Sequence, residues 1–223
     1  MKKISYFFCI ISTSIFAQVN ITQFVDFQKY QSENKTLLMQ ESQSRKTVLL
    51  GDSITEFWKV NDPNFFTQNN LIDRGISGQT TTQMLLRFRQ DVIDLKPQTV
   101  VILAGVNDIA QNAGPIEVSQ IFDNLKSMVD LAKANHIQPI LCLVVPANRF
   151  PWRPEIIPME KISQLNSLIK NYAISNKIQL VDYFTPLKDA ELGLDAKYGD
   201  DGVHPNLAGY KVMEKALLAV LNK

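Results

Sequence analysis

A serine near the first apolar run of the chain stands where nucleophilic catalysis would need it. Ser53 follows the run Thr47–Leu50 and the pair Gly51-Asp52, and a helix-start pattern comes directly after it. A serine between the end of a strand and the start of a helix lies where free backbone N–H groups favour developing negative charge. That position suits a nucleophile. The same residues are equally typical of an ordinary turn with an N-cap.

A serine nucleophile needs a base, and the chain contains only two histidines. His136 follows a predicted helix on the amino side of a strand, which favours a surface or capping role. His204 lies just before the final predicted helix, three residues after Asp201. An acid at that spacing can hold the imidazole Nδ1–H, so Asp201 is the expected orienting carboxylate. Asp200 is the alternative if the turn has a different geometry.

Acyl transfer also needs hydrogen-bond donors for the oxyanion of the tetrahedral intermediate. Three candidates follow predicted strands: the backbone N–H groups of Ser53 and Gly78, and the side-chain amide of Asn107. Glycine lets the backbone approach a substrate closely, and it is also typical of a turn with positive φ. Asn107 is as compatible with capping its own loop as with binding an oxyanion.

Residues 146–158 form a proline-rich loop after the fourth predicted strand, and they act either as a lid over the site or as a structural strap. Trp152 could stack on a sugar ring, and Arg149 or Arg153 could bind a phosphate or carboxylate. The alternative is that Phe150 and Trp152 only anchor the loop to the domain.

Three other side chains fit packing roles. Phe57 and Trp58 follow the serine and are expected to pack in the domain, although they could also line an acyl pocket. Cys142 lies in an apolar run with nothing nearby to lower its pKa, so it is expected to be an inert core residue.

The elements that must position these residues alternate between strand and helix. The predicted strands are Thr47–Leu50, Leu71–Asp73, Thr99–Leu103, Pro139–Val145 and Ile178–Val181. The predicted helices are Val25–Leu38, Thr80–Leu95, Gly114–Ala134, Met159–Ser175 and one from Pro205 or Asn206 to Leu221. This alternation predicts a parallel sheet with helices on both faces, with the polar loops gathered at its carboxyl edge.

Length and composition predict one domain, and the amino-terminal residues predict that it is exported. Its 223 residues are 45% hydrophobic, and its formal net charge of +1 gives no reason to expect a nucleic acid partner. Residues 1–17 have the two leading lysines, the apolar run and the terminal small residue of a signal peptide. We therefore expect a periplasmic or secreted protein without a stable membrane span after cleavage. We also expect residues 18–46 to be a leading segment packed on the main domain, residues 47–223.

Four blocks in order resemble the SGNH (GDSL-type) hydrolase superfamily. They are Gly51-Asp52-Ser53-Ile54, Gly78 within Ile76–Thr80, Gly105-Val106-Asn107-Asp108 and Asp201-Gly202-Val203-His204-Pro205. Isoleucine stands in the first block where the family name has leucine. The resemblance covers the chain from about Thr47 to its end, and it points to a secreted bacterial acylhydrolase or lysophospholipase-like branch.

The resemblance implies a flavodoxin-like three-layer α/β/α sandwich around a mostly parallel five-stranded sheet. It implies a serine esterase with Ser53 as nucleophile, His204 as base and Asp201 as its partner, with Gly78 and Asn107 as oxyanion donors and no metal or other cofactor. The expected substrates are short-acyl, acetyl-type esters of carbohydrates or lipids. One alternative is a lysophospholipase or thioesterase with longer acyl preference. Another is a non-catalytic carbohydrate-binding module on the same fold, and a receiver-like protein is the least supported.

Overall fold

A five-stranded sheet, parallel throughout, forms the centre of the protein, with strand order β2-β1-β3-β4-β5. The computed structural model describes residues 20–40 and 46–222, and the predicted signal peptide, residues 1–17, lies outside them. The strands are β1 (Thr47–Gly51), β2 (Leu71–Gly75), β3 (Thr99–Ile102), β4 (Gln138–Cys142) and β5 (Gln179–Val181). The predicted α/β class is confirmed.

Helices flank this sheet, and apolar stripes at helical spacing fix their orientation. The helices of the described residues are α1 (Ile21–Val25), α2 (Gln31–Met39), α3 (Ser53–Asn61), α4 (Pro63–Gln68), α5 (Thr81–Asp91), α6 (Val106–Ile109), α7 (Val118–Ala134), α8 (Met159–Ser175), α9 (Phe184–Leu187) and α10 (Leu207–Leu221). A short 3-10 helix, Ile93–Leu95, follows α5. The longest two, α7 and α8, bury one face each against the sheet and each other. No helix of residues 20–40 or 46–222 is long and apolar enough to cross a membrane.

The strand order places a topological switch between β1 and β3. The chain moves from β1 to one side of the sheet and from β3 to the other, so the loops after these two strands diverge. In open parallel sheets, ligands bind in the crevice that such diverging loops leave at the carboxyl edge. Ser53 follows β1 and Asn107 follows β3, so both lie at this switch point.

Four predicted elements differ from the observed ones. The helix expected over Thr80–Leu95 ends as α5 at Asp91, where Val92 leaves the helical conformation, and the 3-10 helix follows it. The predicted leading helix, Val25–Leu38, is broken into α1 and α2, because Asp26 adopts a left-handed conformation with φ of 55°. The helix expected from Gly114 begins at Val118, since a capping box with Glu117 at the N-cap sets its start. Strand β4 ends at Cys142 rather than Val145, since its ladder with β5 stops there.

The leading segment, residues 20–40, packs beside α5 and against the loop after β2. Val25 is fully buried, and Tyr30 is buried beneath the guanidinium of Arg74. Three glutamine side chains donate hydrogen bonds to carbonyls of this segment: Gln79 to Val25, Gln83 to Phe24 and Gln90 to Phe27. The segment therefore shares buried hydrogen bonds with the loop that carries Gly78.

Candidate active site

The turn between β1 and α3 depends on two glycines at neighbouring strand ends. A Cβ on Gly51 would lie 2.0 Å from the Thr55 hydroxyl, and one on Gly75 would lie 2.3 Å from the Glu56 nitrogen. Because only glycine permits this approach, the first turn of α3 packs directly on the ends of β1 and β2. Ser53 is the first residue of α3 and is 7% exposed. Its hydroxyl therefore lies at a helix N-terminus, where negative charge is favoured.

Ser53 and His204, 151 residues apart in sequence, meet at this point. The Ser53 Oγ lies 2.8 Å from His204 Nε2, and His204 Nδ1 lies 2.6 Å from Asp201 Oδ2. An ionised carboxylate only accepts hydrogen bonds, so the proton belongs on Nδ1 and Nε2 is free to accept the serine proton. The arrangement can thus draw a proton from the Ser53 hydroxyl while Asp201 stabilises the imidazolium.

A tight turn holds Asp201 in this position. Its Oδ1 accepts the backbone N–H groups of Val203 and His204, both at 2.8 Å, and Gly202 has a φ of 83°. Partial burial raises the pKa of Asp201, but the hydrogen bonds from His204 and Val203 outweigh it and hold that pKa below its usual value. Asp201 therefore stays ionised where the imidazole needs an anion. Asp200, the alternative expected from the sequence, is exposed.

Gly78 and Asn107 come from the loops after β2 and β3. Gly78 has a φ of 78°, a backbone conformation that residues other than glycine rarely adopt. The Asn107 amide is 3% exposed, and its Nδ2 donates to the Gln79 carbonyl at 3.2 Å. The two loops are also joined by Asp108, whose carboxylate accepts the N–H and hydroxyl of Thr81 at the start of α5. The loops that carry the Gly78 peptide N–H and the Asn107 side-chain amide are therefore connected to each other.

Comparison with known proteins identifies the family to which this site belongs. The model of the GDSL-like lipase/acylhydrolase family matches residues 49–212. The chain belongs to this family. It is therefore a carboxylic ester hydrolase, and the non-catalytic and receiver-like alternatives are set aside. The crystal structure of a GDSL-like lipase from Bacteroides thetaiotaomicron is similar with a TM-score of 0.87 and 44% sequence identity, over 89% of this chain and 98% of that one.

Two curated esterases are more distant relatives of this esterase. The isoamyl acetate-hydrolyzing esterase of Saccharomyces cerevisiae is 25% identical over 79% of this chain and 85% of its own length. An acetylxylan esterase of Geobacillus stearothermophilus is 25% identical over 66% of this chain and 70% of its own length. Both names describe hydrolysis of acetyl esters.

Two aromatic side chains of the esterase flank the His204 ring. The ring centroid of Phe57 lies 5.3 Å from that of His204, and the centroid of Trp152 lies 6.3 Å from it. Both are partly exposed, at 38% and 42% respectively. Their sequence neighbours Trp58 and Phe150 are instead buried in the core, so each aromatic pair combines one packing residue with one residue at the site.

The two arginines of the 146–158 loop have different surroundings. Arg153 donates to the Gln111 carbonyl at 3.1 Å and lies 3.5 Å from Glu155, so contacts within the protein occupy its guanidinium. Arg149 is exposed, and its side chain lies over Gly202 in the turn between Asp201 and His204. Of the two, Arg149 is therefore the one that lies beside the turn between Asp201 and His204.

Several polar residues around the site carry no signal in the sequence. Gln79 is 3% exposed and joins the Val25 carbonyl to the Arg87 guanidinium, while Asn112 contacts both Asn107 and Trp152. Nothing in their spacing identifies them, because their partners lie in other loops. Amide side chains in the loops that follow strands include these two residues, but they also include many others.

The remaining predictions concern residues away from the reacting groups. His136 is exposed at the end of α7, on the amino edge of the sheet, and Cys142 is buried in β4, both as expected. Burial raises the pKa of the Cys142 thiol well above its usual range. In residues 20–40 and 46–222, no three side chains of His, Cys, Asp or Glu are grouped so that they could hold a metal ion.

Proposed function

We propose that this esterase hydrolyses its substrate through a covalent acyl-enzyme on Ser53. His204 takes the hydroxyl proton as Ser53 Oγ attacks the ester carbonyl, and the alcohol leaves with that proton. Water activated by the same imidazole then releases the acid. The observation that supports this mechanism most directly is the chain of contacts from Ser53 Oγ to His204 Nε2, at 2.8 Å, and from His204 Nδ1 to Asp201 Oδ2, at 2.6 Å.

We assign the oxyanion to the backbone N–H groups of Ser53 and Gly78 and the amide of Asn107. The helix N-terminus at Ser53, the positive φ of Gly78 and the buried amide of Asn107 support this assignment. Donors fixed before the substrate arrives stabilise the tetrahedral intermediate without having to reorganise.

The first test removes the nucleophile and the base. We expect Ser53→Ala and His204→Ala each to lower kcat on p-nitrophenyl acetate by at least about a thousandfold, and Asn107→Ala by about a hundred- to a thousandfold. Exposed His136→Ala is the matched control, with unchanged kcat. A Ser53→Ala protein with near-normal activity would exclude the mechanism, and a serine-directed fluorophosphonate should label the wild type but not this variant.

The proposed substrates are short-acyl, acetyl-type esters whose alcohol part is a sugar or another compact group. The names of the two curated relatives support the acetyl group. The exposed ring of Trp152 beside His204 offers a face for a sugar, and Arg149 offers a cation for an anionic substituent.

A chain-length series tests this choice. We expect kcat/KM to fall from p-nitrophenyl acetate to butyrate to decanoate, and acetylated xylo-oligosaccharides to be better substrates than lysophospholipid. Higher activity on decanoate and lysophospholipid would instead support the long-acyl alternative.

Residues 1–17 support export as part of the proposal, through their lysines, apolar run and small terminal residue. The mass of the protein recovered from the periplasm or medium tests it. Loss of about the first 17 residues is expected, and a full-length protein confined to the cytoplasm would contradict export.

A further inference from the structure

Asn112 joins three loops at the rim of the site. Its Nδ2 donates to Asn107 Oδ1 at 2.8 Å and to the Gly78 carbonyl at 3.3 Å. Its Oδ1 accepts the indole N–H of Trp152 at 3.2 Å. It therefore contacts the loops of two of the three proposed oxyanion donors, Gly78 and Asn107, and the aromatic side chain beside His204.

The partners of Asn112 determine which way its amide points. An indole N–H only donates and a peptide carbonyl only accepts, so the Asn112 oxygen must face Trp152 and its NH2 group must face Gly78 and Asn107. This NH2 group needs an acceptor, which places the Asn107 oxygen on the Asn112 side. The Asn107 NH2 group then points the other way, toward the Gln79 carbonyl.

This polarity matters because the two ends of an amide have opposite charge. With its NH2 group turned from Asn112, Asn107 has one N–H on the Gln79 carbonyl and a second N–H to which no acceptor in the described part of the chain is assigned. With the amide reversed, a carbonyl oxygen would replace these donors and would repel both the Gln79 carbonyl and an oxyanion.

We infer that Asn112 is a positioning residue for ester hydrolysis, which holds the Asn107 amide with its donors toward the reacting carbonyl. Trp152 in turn sets the orientation of Asn112 through its indole N–H. The inference rests on the proposed oxyanion role of Asn107. Asn112 itself is exposed at the rim and acts through Asn107 rather than on the substrate.

Removing the Asn112 amide should affect the transition state more than substrate binding. We expect Asn112→Ala to lower kcat and kcat/KM on p-nitrophenyl acetate together, by about tenfold, with KM changed by less than about twofold. The Gln79 carbonyl still favours the correct orientation, so the loss should be smaller than that of Asn107→Ala. Asn64→Ala, at an exposed asparagine of α4, is the matched control and should leave kcat unchanged.

A double-mutant cycle distinguishes positioning from an independent effect. In an Asn107→Ala background, Asn112→Ala should cost less than about twofold, because the group through which it acts is gone. A full tenfold loss in that background would overturn the inference, as would a kcat of Asn112→Ala within twofold of wild type.

Trp152→Phe provides a second variant that keeps an aromatic ring beside Phe150 while removing the indole N–H. We expect kcat to fall about two- to fourfold, and by less than that when Asn112 is already alanine. Equal losses in both backgrounds would show that Trp152 does not act through Asn112. If Ser53→Ala and Asn107→Ala behave as proposed while Asn112→Ala does not, only the inference fails. If Ser53→Ala remains active, the proposed mechanism fails first.

Discussion

The two loops that border the active site are held in opposite ways. The loop at residues 76–80 is fixed from inside the protein: the Gln79 side chain bonds the Val25 carbonyl and Arg87, both at 2.6 Å. The 146–158 loop is anchored by fully buried Phe150, but at the site it is held by the exposed contact of Trp152 with Asn112 and the partly buried contact of Arg153 with Gln111.

This difference matches the work proposed for each loop. Donors for an oxyanion must be in place before the reaction, and buried, fully paired hydrogen bonds provide that rigidity. A surface that meets the alcohol part of a substrate can be held by exposed contacts, which are weaker and easier to rearrange. The 76–80 loop should therefore have the larger effect on rate, and the 146–158 loop the larger effect on substrate choice.

The largest contrast is expected between two arginines, one behind the 76–80 loop and one within the 146–158 loop. Arg87 is fully buried and bonds Gln79, Asp91 and the carbonyls of Gly51 and Arg74. Arg87→Met should lower the free energy of unfolding by about 3–5 kcal/mol, because Asp91 is left buried without its charged partner. Chemical denaturation monitored by circular dichroism measures this.

Arg153→Met is the matched comparison at the exposed loop. The Arg153 side chain is 40% exposed, so its loss should cost about 1 kcal/mol or less. Similar losses for the two variants would contradict the contrast between the loops.

Gln79→Met should lower both the stability of the protein and the rate of hydrolysis, because Gln79 lies in the buried 76–80 loop. It removes the bonds to Val25 and Arg87 and should cost about 1–3 kcal/mol of unfolding free energy, since buried polar groups lose their partners. We also expect kcat to fall about tenfold, because Gln79 follows Gly78 and its carbonyl holds the Asn107 amide. Steady-state kinetics and denaturation are measured on the same preparation.

Gln90→Met is the control for this variant. Gln90 lies on the last turn of α5, and its Nε2 donates to the Phe27 carbonyl of the same leading segment at 2.9 Å. It should lower stability while leaving kcat unchanged. A kcat loss as large as that of Gln79→Met would mean that general loosening of the leading segment, rather than the 76–80 loop, controls the rate.

The last prediction concerns two carboxylates near His204. Asp201 is partly exposed and its pKa is lowered, whereas complete burial raises the pKa of Asp52 to about 7. The Asp52 Oδ1 caps α3 through the Ile54 N–H, while its Oδ2 has no hydrogen-bond partner among residues 20–40 and 46–222. Because the folded state binds this proton more tightly than the unfolded state, the stability Asp52 contributes below about pH 4 is lost as pH rises toward 7.

Asp52→Asn should remove that pH dependence. The difference in Tm between the variant and wild type should shift in favour of the variant as pH rises from 4 to 8, and thermal melts across that range measure it. A difference that stays constant with pH would show that Asp52 is ionised at no cost in the folded protein.

Much of the fold was predictable because it follows from local pattern. Alternating apolar runs and helical stripes predicted the five strands and the parallel sheet, and the rule that such sheets gather their loops at one edge brought Ser53, Gly78, Asn107 and His204 together. Element ends were less predictable. The break at Asp26 and the start of α7 depend on single backbone conformations and caps that apolar periodicity does not register.

The sequence alone identified the proposed reacting groups, since few residue types can perform this chemistry and only two histidines were available. The tertiary structure decided between Asp201 and Asp200, separated Trp152 and Phe57 at the site from Phe150 and Trp58 in the core, and revealed Gln79 and Asn112. The physical reason is that a hydrogen bond depends on the distance and direction between atoms of remote loops. Residue type and spacing along the chain fix neither.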